Sequence, residues 1–171
     1  MQFIGATPDQ ENIVSSAVTA ATKYIADAYQ YAVDPSSDSA GERYTTWFGA
    51  DDPQRHAFVN SVFDSLNNND LTTYTYDCVT CTDPTSFGYV HPDQFGIIYL
   101  GPAFWKVQAT GADSQAGTLV RLASQFLVNG GTQEHEYGED DCQELARVNP
   151  VNSITNTDSY GYFAENDPPL A

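Results

Sequence analysis

An α+β fold is predicted from three observations. Hydrophobic residues recur at helical spacing near both ends of the chain, the middle is rich in β-branched and aromatic residues broken by turn formers, and no segment repeats. Of 171 residues, 41% are hydrophobic. That is enough for one core and suits a single domain over residues 1–171.

The first helix is read from Thr7-Pro8-Asp9-Gln10. Thr7 serves as N-cap, Pro8 fits the first helical position, and Gln10 closes a capping box. Ile13, Ala17, Ala21, Tyr24 and Ala28 then carry helical spacing to about Val33. The segment Asp34–Gly41 (DPSSDSAG) reads as a loop by composition. A second helix is predicted from Asp52-Pro53, burying Phe58, Val59, Val62 and Phe63, and ending at Asn67-Asn68-Asn69. Leu71–Val79, Phe87–Val90 and Gly96–Leu100 have strand character and predict a small, mainly antiparallel sheet. Helical periodicity returns over Ser114–Val128 through Leu119, Val120, Ala123, Phe126 and Leu127. Shorter helices are expected at Asp140–Val148 and after Asn149-Pro150, with an extended tail.

Charge excludes whole classes of partner. Twenty-three acids against six bases give a formal net charge of -17. Such a surface is repelled by nucleic acid and by anionic membranes, whose phosphates need basic patches. The sequence shows no apolar run long enough to span a bilayer and does not open on a charged-then-apolar leader. A monomer is expected. No P-loop, G-x-S-x-G or Rossmann glycine pattern occurs. His56, His91 and His135 are scattered and make no metal-spaced pair, while Cys78 and Cys81 have redox-motif spacing but no helix after them.

Several long stretches resemble the deuterolysin or aspzincin family of fungal zinc endopeptidases, above all the peptidyl-Lys metalloendopeptidases of mushrooms. They are RYTTWFGADDPQRH (Arg43–His56), FGYVHPDQFGIIYL (Phe87–Leu100), AFWK (Ala103–Lys106), TGADSQAGTLV (Thr110–Val120), NGGT (Asn129–Thr132) and YFAEN (Tyr162–Asn166). The resemblance implies a zincin-like fold, with helices packed on a small twisted sheet and a cleft along one edge strand. It also implies a zinc site built on HExxH and a following GTxDxxYG. Two histidines at i and i+4 lie on one helical face and share one metal, the glutamate between them activates water, a downstream aspartate is the third ligand, and a tyrosine stabilises the oxyanion.

That signature is not kept. Arg121 and Gln125 stand at the histidine positions, Leu122 at the glutamate and Glu134 at the aspartate, and Tyr137 alone matches. Arginine has no lone pair to donate, and its fixed charge repels a divalent cation. The expectation is therefore no metal and no cofactor. Arg121 is expected to reach Glu134 as an ion pair in place of the metal, with Tyr137 bonded to it, or else to point to solvent.

The resulting reading is a non-catalytic homologue that binds a peptide, a protein or a glycan, with defence in a fungus as the analogy. The alternative is a hydrolase with a site rebuilt from Glu134, His135, Glu136 and Tyr137. Lysine-preferring relatives also carry two acids near the C-terminal end. Asp158 matches the first, Gly161 replaces the second, and Asp158 and Tyr137 are the candidate ligand-binding residues. Asp158 also suits a helix or turn cap. Relatives fasten the chain with two disulfides, which implies missing partners for Cys78 and Cys81 near Ala6 and at Gly101. Two readings stay open, a reducing cytoplasm in which bridges never form and a Cys78–Cys81 pair with Cys142 free. Resemblance places the protein outside the cell, and the lost partners place it in the cytoplasm.

Overall fold

The structure is a computed structural model describing residues 1–33 and 41–170. All of the expected loop at Asp34–Gly41 except Gly41 lies outside the described residues. The first long helix, α1 (Pro8–Val33), starts as the sequence dictates. The Thr7 N–H donates to Gln10 Oε1 at 2.9 Å and the Gln10 N–H to Thr7 Oγ1 at 3.3 Å, a reciprocal box that satisfies two free donors. The helix buries Val14, Ala17, Val18, Ala21, Ile25, Ala28 and Ala32 on one stripe. In α3 (Pro53–Asn68), Asp52 accepts from the N–H groups of Gln54 and Arg55, and Val59, Val62, Phe63 and Leu66 face the core. Phe58 lies only partly buried at its margin.

Between them stands α2 (Glu42–Phe48), a helix the sequence reading did not anticipate. Seven residues rich in threonine and aromatics carry little helical preference. This helix is held by what it buries: Tyr44, Trp47 and Phe48 enter the core, with Phe48 against Tyr160 and Phe163.

The sheet is mixed, which corrects the expected antiparallel arrangement. Strands β1 (Gln2–Ile4), β2 (Thr75–Asp77), β3 (Gly88–Val90) and β4 (Ile97–Leu100) lie in the order β1-β2-β4-β3. The β1–β2 and β2–β4 pairs are parallel, and only β3–β4 is antiparallel. The three helices between β1 and β2 act as a crossover, which returns the chain in the same direction. Leu71–Thr73 is a 3-10 turn capped by Asp70, so β2 is shorter than the run Leu71–Val79 suggested. Strand β3 ends the sheet, and among the described residues its other edge has no strand partner.

Helix α4 (Gln115–Ser124) is shorter than predicted, and Leu127–Asn129 forms a separate 3-10 turn with Leu127 66% exposed. It is followed by α5 (Glu139–Val148), α6 (Pro150–Ser153) and α7 (Thr157–Glu165). Helix α4 is the hub, packed against both α1 and α7.

All three thiols are free. A Cβ at Gly101 would lie 3.1 Å from Cys81 Sγ, so this bridge position is the one the resemblance implied. It would also lie 2.2 Å from the Ser86 carbonyl oxygen, so the backbone has closed over the place a second cysteine would need. At the other expected position, Cys78 lies beside the chain start, its N–H donating to the Ile4 carbonyl at 2.9 Å. Its neighbour Val79 fills the space next to Gly5, with Cγ1 2.4 Å from where a Cβ there would sit. Burial pushes the Cys78 thiol up to about 11 and the Cys142 thiol to about 12. Both thiols are thereby held in the protonated, less nucleophilic form near neutral pH.

Candidate functional site

Ser114 caps α4, its Oγ accepting from the Gly117 N–H at 3.0 Å. About two helical turns after this cap comes Arg121, then Leu122, and Gln125 at the helical C-cap. Of these three sequence-predicted positions, Arg121 lines the pocket, Leu122 packs under β3 and Gln125 is buried at the helix end. Leu122 is 1% exposed, and a Cβ on Gly88 of β3 would sit 3.0 Å from its Cδ1. Hydrocarbon therefore fills the space under the edge strand where a general base would need a water. Gln125 is buried, and its Nε2 has no protein hydrogen-bond partner among the described residues.

Arg121 does not meet Glu134. Its Nη1 donates to Asp158 Oδ1 at 2.9 Å, with both side chains mostly buried. The reason lies in the helix crossing. Helices α4 and α7 approach at Gly117 and Gly161, where a Cβ on Gly161 would be 3.4 Å from the Gly117 carbonyl and 3.6 Å from Arg121 Cβ. Two residues without side chains bring the next residues along each helix together, and those are Arg121 and Asp158. Asp158 Oδ2 also accepts from the Gly138 N–H at 3.2 Å, so it links α4, α7 and the start of α5. Glu134 instead accepts from the Tyr137 hydroxyl. Both are exposed on the loop. Partial desolvation of this largely exposed side chain, then its bond to Glu134, pushes the Tyr137 hydroxyl up to about 12, so it stays protonated.

His135 turns away from these acids. Its Nε2 lies 2.9 Å from Thr155 Oγ1, and its N–H, like that of Glu136, donates to Asn156 Oδ1 at 3.0 Å. Of the four residues considered for a rebuilt site, the structure brings together only Glu134 and Tyr137.

Beside the Arg121–Asp158 pair lies a small open pocket of about 40 Å³, lined by Phe87, Asp113, Thr118, Tyr162 and Glu165 together with Gly117 and Gly161. Sequence reasoning did not single out Asp113, Tyr162 or Glu165. A signal existed, since they sit in TGADSQAGTLV and YFAEN, two of the stretches that carried the resemblance. Tyr162 donates to Asp113 Oδ1 at 2.6 Å. Glu165 accepts from the Ser114 N–H at 2.8 Å, the Ser114 hydroxyl at 2.8 Å and the Asp113 N–H at 3.1 Å. Burial nevertheless pushes its carboxyl up to about 7, because three donors do not replace the lost water.

Zinc does not fit the residues present. A guanidinium already bound to a carboxylate, a buried leucine and a carboxamide replace the two nitrogens and the base. No three His, Cys, Asp or Glu side chains among the described residues are grouped to hold a metal.

Gly161 also carries a test of the crossing. It lies inside α7 with room for a methyl group, so Gly161→Ala is expected to raise stability by about 1 kcal/mol through helix propensity. Denaturant unfolding reads this directly. A loss would show that α4 and α7 need a closer approach than the structure has.

Residues 34–165 match a family described as lysine-specific metallo-endopeptidase. Peptidyl-Lys metalloendopeptidases of Grifola frondosa and Pleurotus ostreatus are 41% and 42% identical over 97% and 99% of this chain. An extracellular protease of Aeromonas hydrophila is 37% identical over 95%. The chain spans 99% of the Pleurotus sequence but about half of the others, 47% and 46%. A solved zinc peptidase from Grifola frondosa superimposes with a TM-score of 0.92 at 40% identity, covering 97% of this chain and all of that one. With the fold and nearly the whole of this chain matched, it belongs to the aspzincin family of metallo-endopeptidases.

Proposed function

We propose that this chain is a non-catalytic member of its family, secreted like the extracellular relative, that works by binding. One observation carries the reading. Arg121 is tied to Asp158 and Leu122 is packed under β3, so two positions needed for hydrolysis are built into the structure in other roles. The open edge of β3 favours an extended peptide as ligand, because an unpaired strand edge offers main-chain donors and acceptors to a second strand.

The purified protein is expected to leave denatured casein intact with and without added zinc, and to contain no stoichiometric zinc by elemental analysis. Casein cleavage would instead establish the alternative, a hydrolase rebuilt around Glu134, His135, Glu136 and Tyr137. A glycan array beside a pull-down separates glycan and protein ligands from a peptide.

A further inference from the structure

We infer that Arg121 is a built-in occupant of a cation pocket: its guanidinium holds in cis the place that a basic side chain would take, and the cleft therefore excludes lysine and arginine side chains. The pocket wall carries three carboxylates, Asp113, Asp158 and Glu165. Two are already used internally. Asp113 takes the Tyr162 hydroxyl, and Glu165 takes the donors at the start of α4. Asp158 is the acid that faces a cation, and among the residues lining the pocket Arg121 is the one base.

Two contacts hold the guanidinium in this place. The guanidinium lies with Cζ 5.6 Å from the centroid of the Phe87 ring, at cation–π distance, while Nη1 meets Asp158. Its stem runs beside Gly161, where the missing side chain leaves the space. Arg121 is also attached to the wall of its own pocket. A tethered group acts at an effective concentration of about millimolar or above. A free ammonium would have to displace this tethered partner from a mostly buried carboxylate and lose its own freedom of motion in doing so. The tethered guanidinium wins that competition, and the side chain of any bound ligand that faces this pocket must be neutral. Because the conclusion concerns occupancy and not hydrolysis, it stands whether or not the chain is catalytic.

The test removes the occupant and returns its head group. Arg121→Ala is expected to unfold at lower temperature than the wild type. Ethylguanidinium chloride should restore at least half of that loss in a saturable way, whereas tetramethylammonium chloride at the same ionic strength should not. The wild type should show no saturable stabilisation by either salt, only the linear loss that a guanidinium salt causes in any folded protein. The double variant Arg121→Ala with Asp158→Asn should show no recovery. Arg121→Gln, which keeps the length of the side chain, serves the same titration if the alanine protein does not fold. Equal responses of wild type and single variant, or recovery that persists without Asp158, would overturn the inference. Casein and zinc measurements do not bear on this outcome, so the two readings fail separately.

Discussion

Arg121→His, Leu122→Glu and Gln125→His, introduced together, are expected to bind one zinc per chain and to regain hydrolysis, while the double variant Arg121→His with Gln125→His binds zinc without hydrolysis and each single replacement binds none. The geometry for two ligands is still present. Position 121 lies within α4, and position 125 keeps helical angles, φ -73 and ψ -21, at its C-cap. Side chains four apart on a helix stand on one face. Ligands and base act as a unit, so partial restoration gives no partial activity. The structure adds a cost that the motif alone would not reveal. Leu122 is 1% exposed under β3, so a carboxylate there loses its hydration, and removing Arg121 leaves the buried Asp158 without its cation. Breaking a buried pair costs about 3–5 kcal/mol. The triple variant is therefore expected to be markedly less stable than wild type without metal and to regain stability with added zinc. Thermal unfolding with and without zinc, together with elemental analysis, checks both parts. Stoichiometric zinc in the wild type, or a triple variant indifferent to zinc, would sink the account.

What the sequence revealed was local, and what it concealed was set by packing between distant segments. The capping box at Thr7 and Gln10 and the Asp52 cap of α3 are nearest-neighbour chemistry, and both formed as read. The directions of β1, β2 and β4 depend on where three helices return the chain, which no strand pattern encodes. Helix α2 has weak intrinsic preference and exists because the core takes three of its aromatic rings. The site divides the same way. The identities at positions 121, 122 and 125 were legible because a motif with fixed spacing makes each replacement visible. The partner of Arg121 was not. Glu134 was expected because two zinc ligands converge on one ion, but without the ion nothing draws those positions together. The approach of α4 and α7 at two glycines selects Asp158 instead. A glycine facing a glycine across a helix pair is readable only once the pair is known.

That crossing also fixes the pH response. Between pH 4.5 and about 7, folding is expected to lose about 3 kcal/mol through Glu165. The ordinary carboxyl value is 4.5, and burial in the folded state raises it to about 7. A raised folded value means that the folded chain holds the proton more tightly than the unfolded chain. The contribution is complete below pH 4.5, declines as pH rises through the window, and is gone above about 7. Each pH unit between the two values is worth about 1.4 kcal/mol. Glu165 has little room to escape ionisation by moving. It is 8% exposed, a Cβ on Gly117 would already lie 1.9 Å from its Oε1, and Asp113 beside it adds like charge. The general repulsion of a chain with net charge -17 has the same sign, so the wild-type curve alone does not isolate the residue. Glu165→Gln does isolate it. The amide keeps the shape and cannot ionise, although it gives up charge-assisted bonds to Ser114 and Asp113. Relative to wild type, the Gln variant is expected to be weaker at pH 4.5 and to gain about 3 kcal/mol on it by pH 7 and above, as measured by denaturant unfolding at each pH. Parallel curves for the two proteins would mean that Glu165 is ionised throughout, and that the donors at the start of α4 outweigh its burial.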